Sequence, residues 1–201
     1  MPRSTVEFWF DFASTYSYVS AMRVEELIVP SGLRLKWMPF LLGPIFTAQG
    51  WDSSPFNVYP AKGTYMWRDM ERLCARHDLP LKRPETFPLF ALLATRVAVA
   101  AANESWLPAY CRAVFHAEYG LGRDITDQAL VAEALEQAGA DPEIWIDRAG
   151  EDNTKQALKD RVAEAQAKGI FGAPTFITPD GELFWGDDRL EQALEWVLKR
   201  R

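Results

Sequence analysis

The stretch that decides the fold is FWFDFASTYSYVSAMRVEEL, residues 8–27. An apolar run of residues that suit a sheet reaches Asp11, turns through Ala13 and Ser14, and passes into an amphipathic helical pattern. Redox proteins built this way often begin that helix with Cys-x-x-Cys. Here the window reads Ser14, Thr15, Tyr16, Ser17: the frame is kept and the sulfur is absent.

Outward from this segment, residues 5–11 read as a strand. Ser14 stands at the N-cap of the helix, and Tyr18, Met22 and Leu27 supply its apolar positions. Pro30, Ser31 and Gly32 punctuate its end. Residues 33–39 set Leu33, Leu35 and Trp37 against Arg34, Lys36 and Met38, the alternation of a half-buried strand. Strand, helix and strand within about 35 residues form a βαβ unit. From residue 41 to 152 the pattern is helical: a long loop or broken helix at 43–60, then segments around 61–78, 89–103, 105–118 and 126–138. Asp141-Pro142 starts another helix, with proline at its first position. The C-terminal part returns to mixed structure. A helix over 153–168 is closed by Gly169, PTFI and ELFW flank the turn Pro179-Asp180-Gly181, and Asp187-Asp188-Arg189-Leu190 opens a last helix through Lys199. The order βαβ, helical insert, αββα predicts an α/β protein with a thioredoxin-like fold. Residues 1–40 and 153–201 would form that domain, and 41–152 an inserted all-helical domain.

The chain has 201 residues, 48% of them hydrophobic, with eight Trp, which is ample for a packed core. A net charge of -6 argues against a nucleic-acid footprint. The N-terminal MPRSTVEFWFDF has no apolar secretory core. The most apolar window, residues 90–102, is interrupted by Arg96 and too short to span a bilayer. A soluble cytoplasmic protein is expected. No metal site is expected, and Cys74 and Cys111, 37 positions apart in helical segments, read as buried free thiols.

Capping alone would explain Ser14. A nucleophilic serine is poorly served: there is no G-x-S-x-G elbow, and His77 and His116 both fall in the helical insert. A third reading uses the position. Amides at a helix start and a serine hydroxyl suit a bound anion, such as a thiolate that the protein does not itself own. Lowering a thiol from about 8.5 by two units requires roughly 2.7 kcal/mol of preference for the anion. A hydrogen bond to a charged partner contributes about 1.5–3 kcal/mol and the helix dipole about 0.3–1 kcal/mol more, which is enough. Ala173-Pro174 opens the PTFI strand. In a thioredoxin-like frame this proline is cis and faces the first helix, leaving the N–H and C=O of Ala173 to pair with an extended peptide. Asp187 and Asp188 are favourable acids in a helical first turn, and Lys62 and Arg68 are simplest as surface charges unless their helix overhangs Ser14.

Taken in order, FDFASTYSY, LLGPIF, PAKGTYMWRDMERL, GIFGAPTFI and FWGDDRLEQAL resemble the 2-hydroxychromene-2-carboxylate isomerase family, which is close to the kappa-class glutathione transferases and the DsbA family. The resemblance extends across nearly the whole chain. It implies glutathione as cofactor, a small-molecule substrate in aromatic catabolism, and a homodimer. Residue by residue, it implies that Ser14 is catalytic and holds the glutathione sulfur. Ala173 would pair with the cysteinyl unit ahead of Pro174, Asp187 and Asp188 would bind the γ-glutamyl end, and Lys62 would help bind glutathione or substrate. Thr47, Trp51 and Phe90 depart from the family pattern, where a lysine and two asparagines are frequent. The glutathione half of the site therefore looks intact and the acceptor half altered.

The expected activity is glutathione-dependent cis–trans isomerisation of 2-hydroxychromene-2-carboxylate or a related aromatic unsaturated keto acid. A kappa-type glutathione transferase and a thioredoxin-like binding module without chemistry are the alternatives.

Overall fold

The computed structural model describes residues 4–200. The first three residues of the MPRSTVEFWFDF segment lie outside that range. Strand β1 (Thr5–Phe10), helix α1 (Thr15–Ser31) and strand β2 (Arg34–Pro39) form the βαβ unit. β1 pairs in parallel with β2, from Thr5 opposite Arg34 to Phe10 opposite Pro39. Near the C-terminus, β3 (Thr175–Ile177) joins antiparallel to β1, and β4 (Leu183–Trp185) joins antiparallel to β3. The sheet order β2-β1-β3-β4 therefore places the end of β1 beside the start of β3. Ser14 and Pro174 follow from those two positions.

Period-two geometry splits β1 between two apolar layers. Val6, Phe8 and Phe10 enter the large cluster with α1, whereas Trp9 points to the other face with Met38, Phe40 and Ile177. Both sheet faces are covered there. Met38 is consequently as buried as Trp37, and the alternation expected for residues 33–39 holds only at the start of β2. On α1 the buried stripe runs through Tyr18, Ala21, Val24 and Ile28, while Met22 and Leu27 are only half-buried at its edge. Pro30 sits inside the last turn of α1, and Gly32 closes it in the left-handed region at φ 66°, which a side chain would strain.

Between β2 and β3 the chain is helical. Residues 43–60 prove to be a broken helix: α2 (Leu42–Ala48), then α3 (Pro55–Val58). They are followed by α4 (Pro60–Arg76), α5 (Leu92–Ala100), α6 (Leu107–Phe115), α7 (Gln128–Gln137), α8 (Pro142–Gly150) and α9 (Asp152–Ala167). Asp141 caps α8, accepting from the Glu143 amide at 3.0 Å, with Pro142 at the first helical position as the sequence predicts. The helix expected over 105–118 changes pitch: α6 ends at Phe115 and His116–Gly120 form a π turn. The last helix, α10 (Leu190–Lys199), is preceded by a 3₁₀ turn at Asp187–Arg189 rather than starting on Asp187. Phe10 and Phe12 pack on Phe115 of α6 with centroids 5.7 and 4.9 Å apart, so one apolar cluster joins the sheet to these helices. Among the described residues, no helix is long and apolar enough to cross a membrane.

Candidate active site

Ser14 caps α1 from an extended conformation (φ -98°, ψ 114°), and its Oγ accepts from the Ser17 amide at 3.2 Å. The same hydroxyl donates to the Ala173 carbonyl at 2.9 Å, across 159 positions. The capping role and the site role thus coexist on one oxygen. Ser17, the other end of the Ser-x-x-Ser window, is fully buried, and its Oγ has no partner among the described residues. Ala173-Pro174 is cis, as the fold predicts. From sequence, both polar groups of Ala173 are expected to be available to a ligand; in the structure its carbonyl is already engaged by Ser14.

The turn after β4 closes the other side. The Gly186 amide donates to the Pro174 carbonyl at 2.9 Å, which fixes Asp187 and Asp188 next to the proline. The two acids part there. Asp187 is buried and turned into α1, accepting from Ser20 Oγ at 2.7 Å and pairing with Arg23 Nη1 at 3.3 Å. Burial nevertheless holds its carboxyl above the usual range, against the lowering pull of Ser20 and Arg23. Its carboxylate is occupied inside the protein, whereas Asp188 is turned outward. The Asp188 side chain is 74% exposed, with Arg189 3.2 Å away.

Lys62 lies in the first turn of α4 with Nζ 4.6 Å from the centre of the Tyr59 ring, and no acidic side chain pairs with it among the described residues. Its helix does overhang the start of α1. Thr15 Oγ1 meets Met66 Sδ at 3.0 Å, and Tyr16 donates to Asp69 at 3.0 Å. Lys62 is one turn before Met66 on the same helix face. Arg68 pairs with Glu71 on the outer surface and is the plain surface charge the sequence allows. A cleft of about 160 Å³ opens beside this helix, walled by Phe56, Gly63, Met66, Trp67, Arg83 and Phe87.

Thr47, Trp51 and Phe90, expected on the acceptor side, lie on α2 and its surroundings. Thr47 turns its hydroxyl back onto the Gly43 carbonyl at 3.1 Å. Trp51 lies between Phe46 and Tyr59, at 5.7 and 6.4 Å. Phe90 is 80% exposed, and its ring edge is 3.9 Å from where a Cβ on Gly43 would stand. Phe46, Trp51 and Tyr59 thus adjoin one another in an aromatic row, with Lys62 Nζ over the Tyr59 ring.

Sequence reasoning missed two acids. Asp11, 5% exposed, accepts the Ala13 amide at 3.0 Å on Oδ1 and the Leu42 amide at 2.7 Å on Oδ2, while its carbonyl takes the Ser14 amide at 3.0 Å. Burial raises its carboxyl to about 6, and the two amide bonds oppose that rise. An acid three residues before a helix cap, ending an apolar strand, was the available signal. Glu118 in the π turn is fully buried, and burial holds its carboxyl well above the carboxylate range against the lowering pull of the neighbouring Tyr119 hydroxyl. Nothing in its local sequence marks it. Cys74 and Cys111 are free and buried as expected, and burial pushes the Cys74 thiol up to about 11 and Cys111 well above its ordinary value. Neither supplies a thiolate near neutral pH.

The sheet order, and a cis-proline loop bonded to the N-cap of the first helix, define a thioredoxin-fold protein with serine where a redox dithiol would begin. The chain belongs to the DSBA-like thioredoxin domain family, whose model matches residues 5–197. It is 28% identical over 195 residues to the 2-hydroxychromene-2-carboxylate isomerase of Sphingobium xenophagum, covering 96% of this chain and 98% of that one. It is 27% identical over 204 residues to glutathione S-transferase kappa 1 of Homo sapiens, covering 95% and 89%. A solved structure of 2-hydroxychromene-2-carboxylate isomerase superposes with a TM-score of 0.86 at 26% identity, over 98% of this chain and 95% of that one. Its relatives are thus isomerases and kappa-class glutathione transferases.

Proposed function

We propose that this protein is a glutathione-dependent cis–trans isomerase of 2-hydroxychromene-2-carboxylate or a related aromatic unsaturated keto acid. The observation that carries the reading is the Ser14 hydroxyl, held at the N-terminus of α1 and 2.9 Å from the Ala173 carbonyl ahead of cis-Pro174. Glutathione fits the donor set present: the Ser14 hydroxyl and the α1 amides for an anionic sulfur, the Ala173 backbone for the cysteinyl unit, and exposed Asp188 for an ammonium. When bound, it supplies a thiolate that adds reversibly to the conjugated substrate and makes the reacting double bond rotatable.

The residues of the chain do the rest. Ser14 turns its hydroxyl from the Ala173 carbonyl toward the sulfur, so a peptide N–H arriving at that carbonyl replaces the bond Ser14 gives up. The helix cap survives, because Oγ remains the acceptor of the Ser17 amide. Lys62, one turn from the α1 contact and without an acidic partner among the described residues, takes the substrate carboxylate. The aromatic wall of Phe46, Trp51 and Tyr59 receives the flat ring. The reading includes a cytoplasmic homodimer.

Purified protein with glutathione is expected to change the absorbance of 2-hydroxychromene-2-carboxylate without consuming glutathione; unchanged absorbance would sink the assignment. Kappa-type transfer is the second reading, favoured by the aromatic residues at Trp51 and Phe90. A stable glutathione conjugate from chlorodinitrobenzene, with no isomerisation, would select it. If glutathione fails to bind in calorimetry, both give way to the binding module.

A further inference from the structure

We propose that Asp11 is a positioning residue that locks helix α2, the acceptor side of the site, to the turn that presents Ser14. The inference rests on the glutathione-dependent reading for its kinetic consequence but not for its geometry.

Three bonds make the lock. The Asp11 carbonyl receives the Ser14 amide, Oδ1 receives the Ala13 amide, and Oδ2 reaches 31 positions ahead to the Leu42 amide at 2.7 Å. Leu42 is the first residue of α2, and its N-cap, Leu41, has no side chain able to satisfy the amides exposed there. Asp11 is therefore the cap of α2, delivered from another element. Burying an acid at this place is costly, and an apolar residue would fill the space with less penalty. What the carboxylate adds is register: two amides from two segments on the two oxygens of one planar group. α2 carries Phe46 and Thr47 and leads to Trp51, so its placement relative to Ser14 sets the distance between sulfur and acceptor.

The ionisable side chains that feel the Asp11 charge are Glu118 and Tyr119, both from the π turn, and both are held toward their neutral forms by burial. From the turn between β1 and α1 and from the start of α2, the groups bonded to it are backbone amides. Asp11 is thus the member of this buried set that carries charge near neutral pH. A protonated carboxyl keeps one oxygen as a good acceptor and loses the second amide.

Nuclear magnetic resonance of the full chain tests the lock directly. The amide protons of Ala13 and Leu42 are expected to titrate together with a midpoint near 6 and to stop titrating in Asp11→Asn. In the same variant KM for the acceptor should rise at least about tenfold, the loss of one charge-assisted hydrogen bond, with glutathione affinity within about twofold of wild type. Leu42→Pro removes the donor at a helical position where proline is tolerated. It should raise KM in the same way and move the Ala13 midpoint upward. It also decides the matter if Asp11→Asn fails to fold. A Leu42 amide that does not titrate in wild type overturns the lock, as does an equal loss of acceptor and glutathione affinity in both variants. If the wild-type protein binds no glutathione, the functional reading falls, and the amide titration still judges the lock.

Discussion

Ser14 shows how much one hydroxyl can be asked to do. It accepts from Ser17, donates to Ala173, and in the proposed chemistry exchanges that second bond for one to sulfur. Ser14→Ala should cost about 1 kcal/mol of stability through the lost cap, read by denaturant titration. It should also raise the pKa of bound glutathione by about one to two units, read by thiolate absorbance. Asp11 has the opposite balance. Its folded-state carboxyl, at about 6, lies above the 3.8 of the unfolded chain, so the folded state binds the proton more tightly. Its contribution to stability is greatest below about 3.8 and is lost as pH rises toward 6, by about 3 kcal/mol in all. Asp187 adds in the same direction. Thermal unfolding between pH 4 and 6 should show stability falling with pH, and Asp11→Asn should flatten that slope.

At the scale of elements, the turn Asp187–Arg189 is fastened to α1 by its first residue. Asp187→Ala strips Ser20 and Arg23 of a buried acceptor, and among the described residues Arg23 then keeps only Glu191 as an ion-pair partner. The expected loss is about 2 kcal/mol by chemical denaturation, with exposed Asp188 still in place. A null result in glutathione binding for Asp188→Ala, against a large one for Asp187→Ala, would show that the ammonium is not held by the exposed acid. The π turn is the reverse case, a fully buried acid beside the Tyr119 hydroxyl. Glu118→Gln keeps the shape and an acceptor beside Tyr119 while removing the desolvated acid, so it should raise stability at neutral pH by about 1 kcal/mol, seen as a higher melting temperature.

Across the whole molecule a single apolar cluster contains both thiols, Cys74 on α4 and Cys111 on α6. A thiol reagent should label neither in the native state and both after denaturation. Labelling of the folded protein would mean that a cysteine is accessible and that the site has no need of an imported sulfur.

What the sequence determined alone is whatever short-range pattern encodes. A run of sheet-favouring residues marked β1, helical spacing and caps marked α1 and α8, and Pro179-Asp180-Gly181 marked the β3–β4 hairpin, whose Gly181 adopts φ 87°. Ser14 was legible for the same reason, because its place follows from the strand before it and the helix after it. The tertiary structure decided the partners. That Asp187 turns inward to Ser20 across 167 positions, that Asp11 caps α2 across 31, and that Ser14 already holds Ala173 all depend on which faces pack together. Periodicity says that a face is buried. The side chain it meets is set by sheet order and helix crossing, which no local stretch of chain contains.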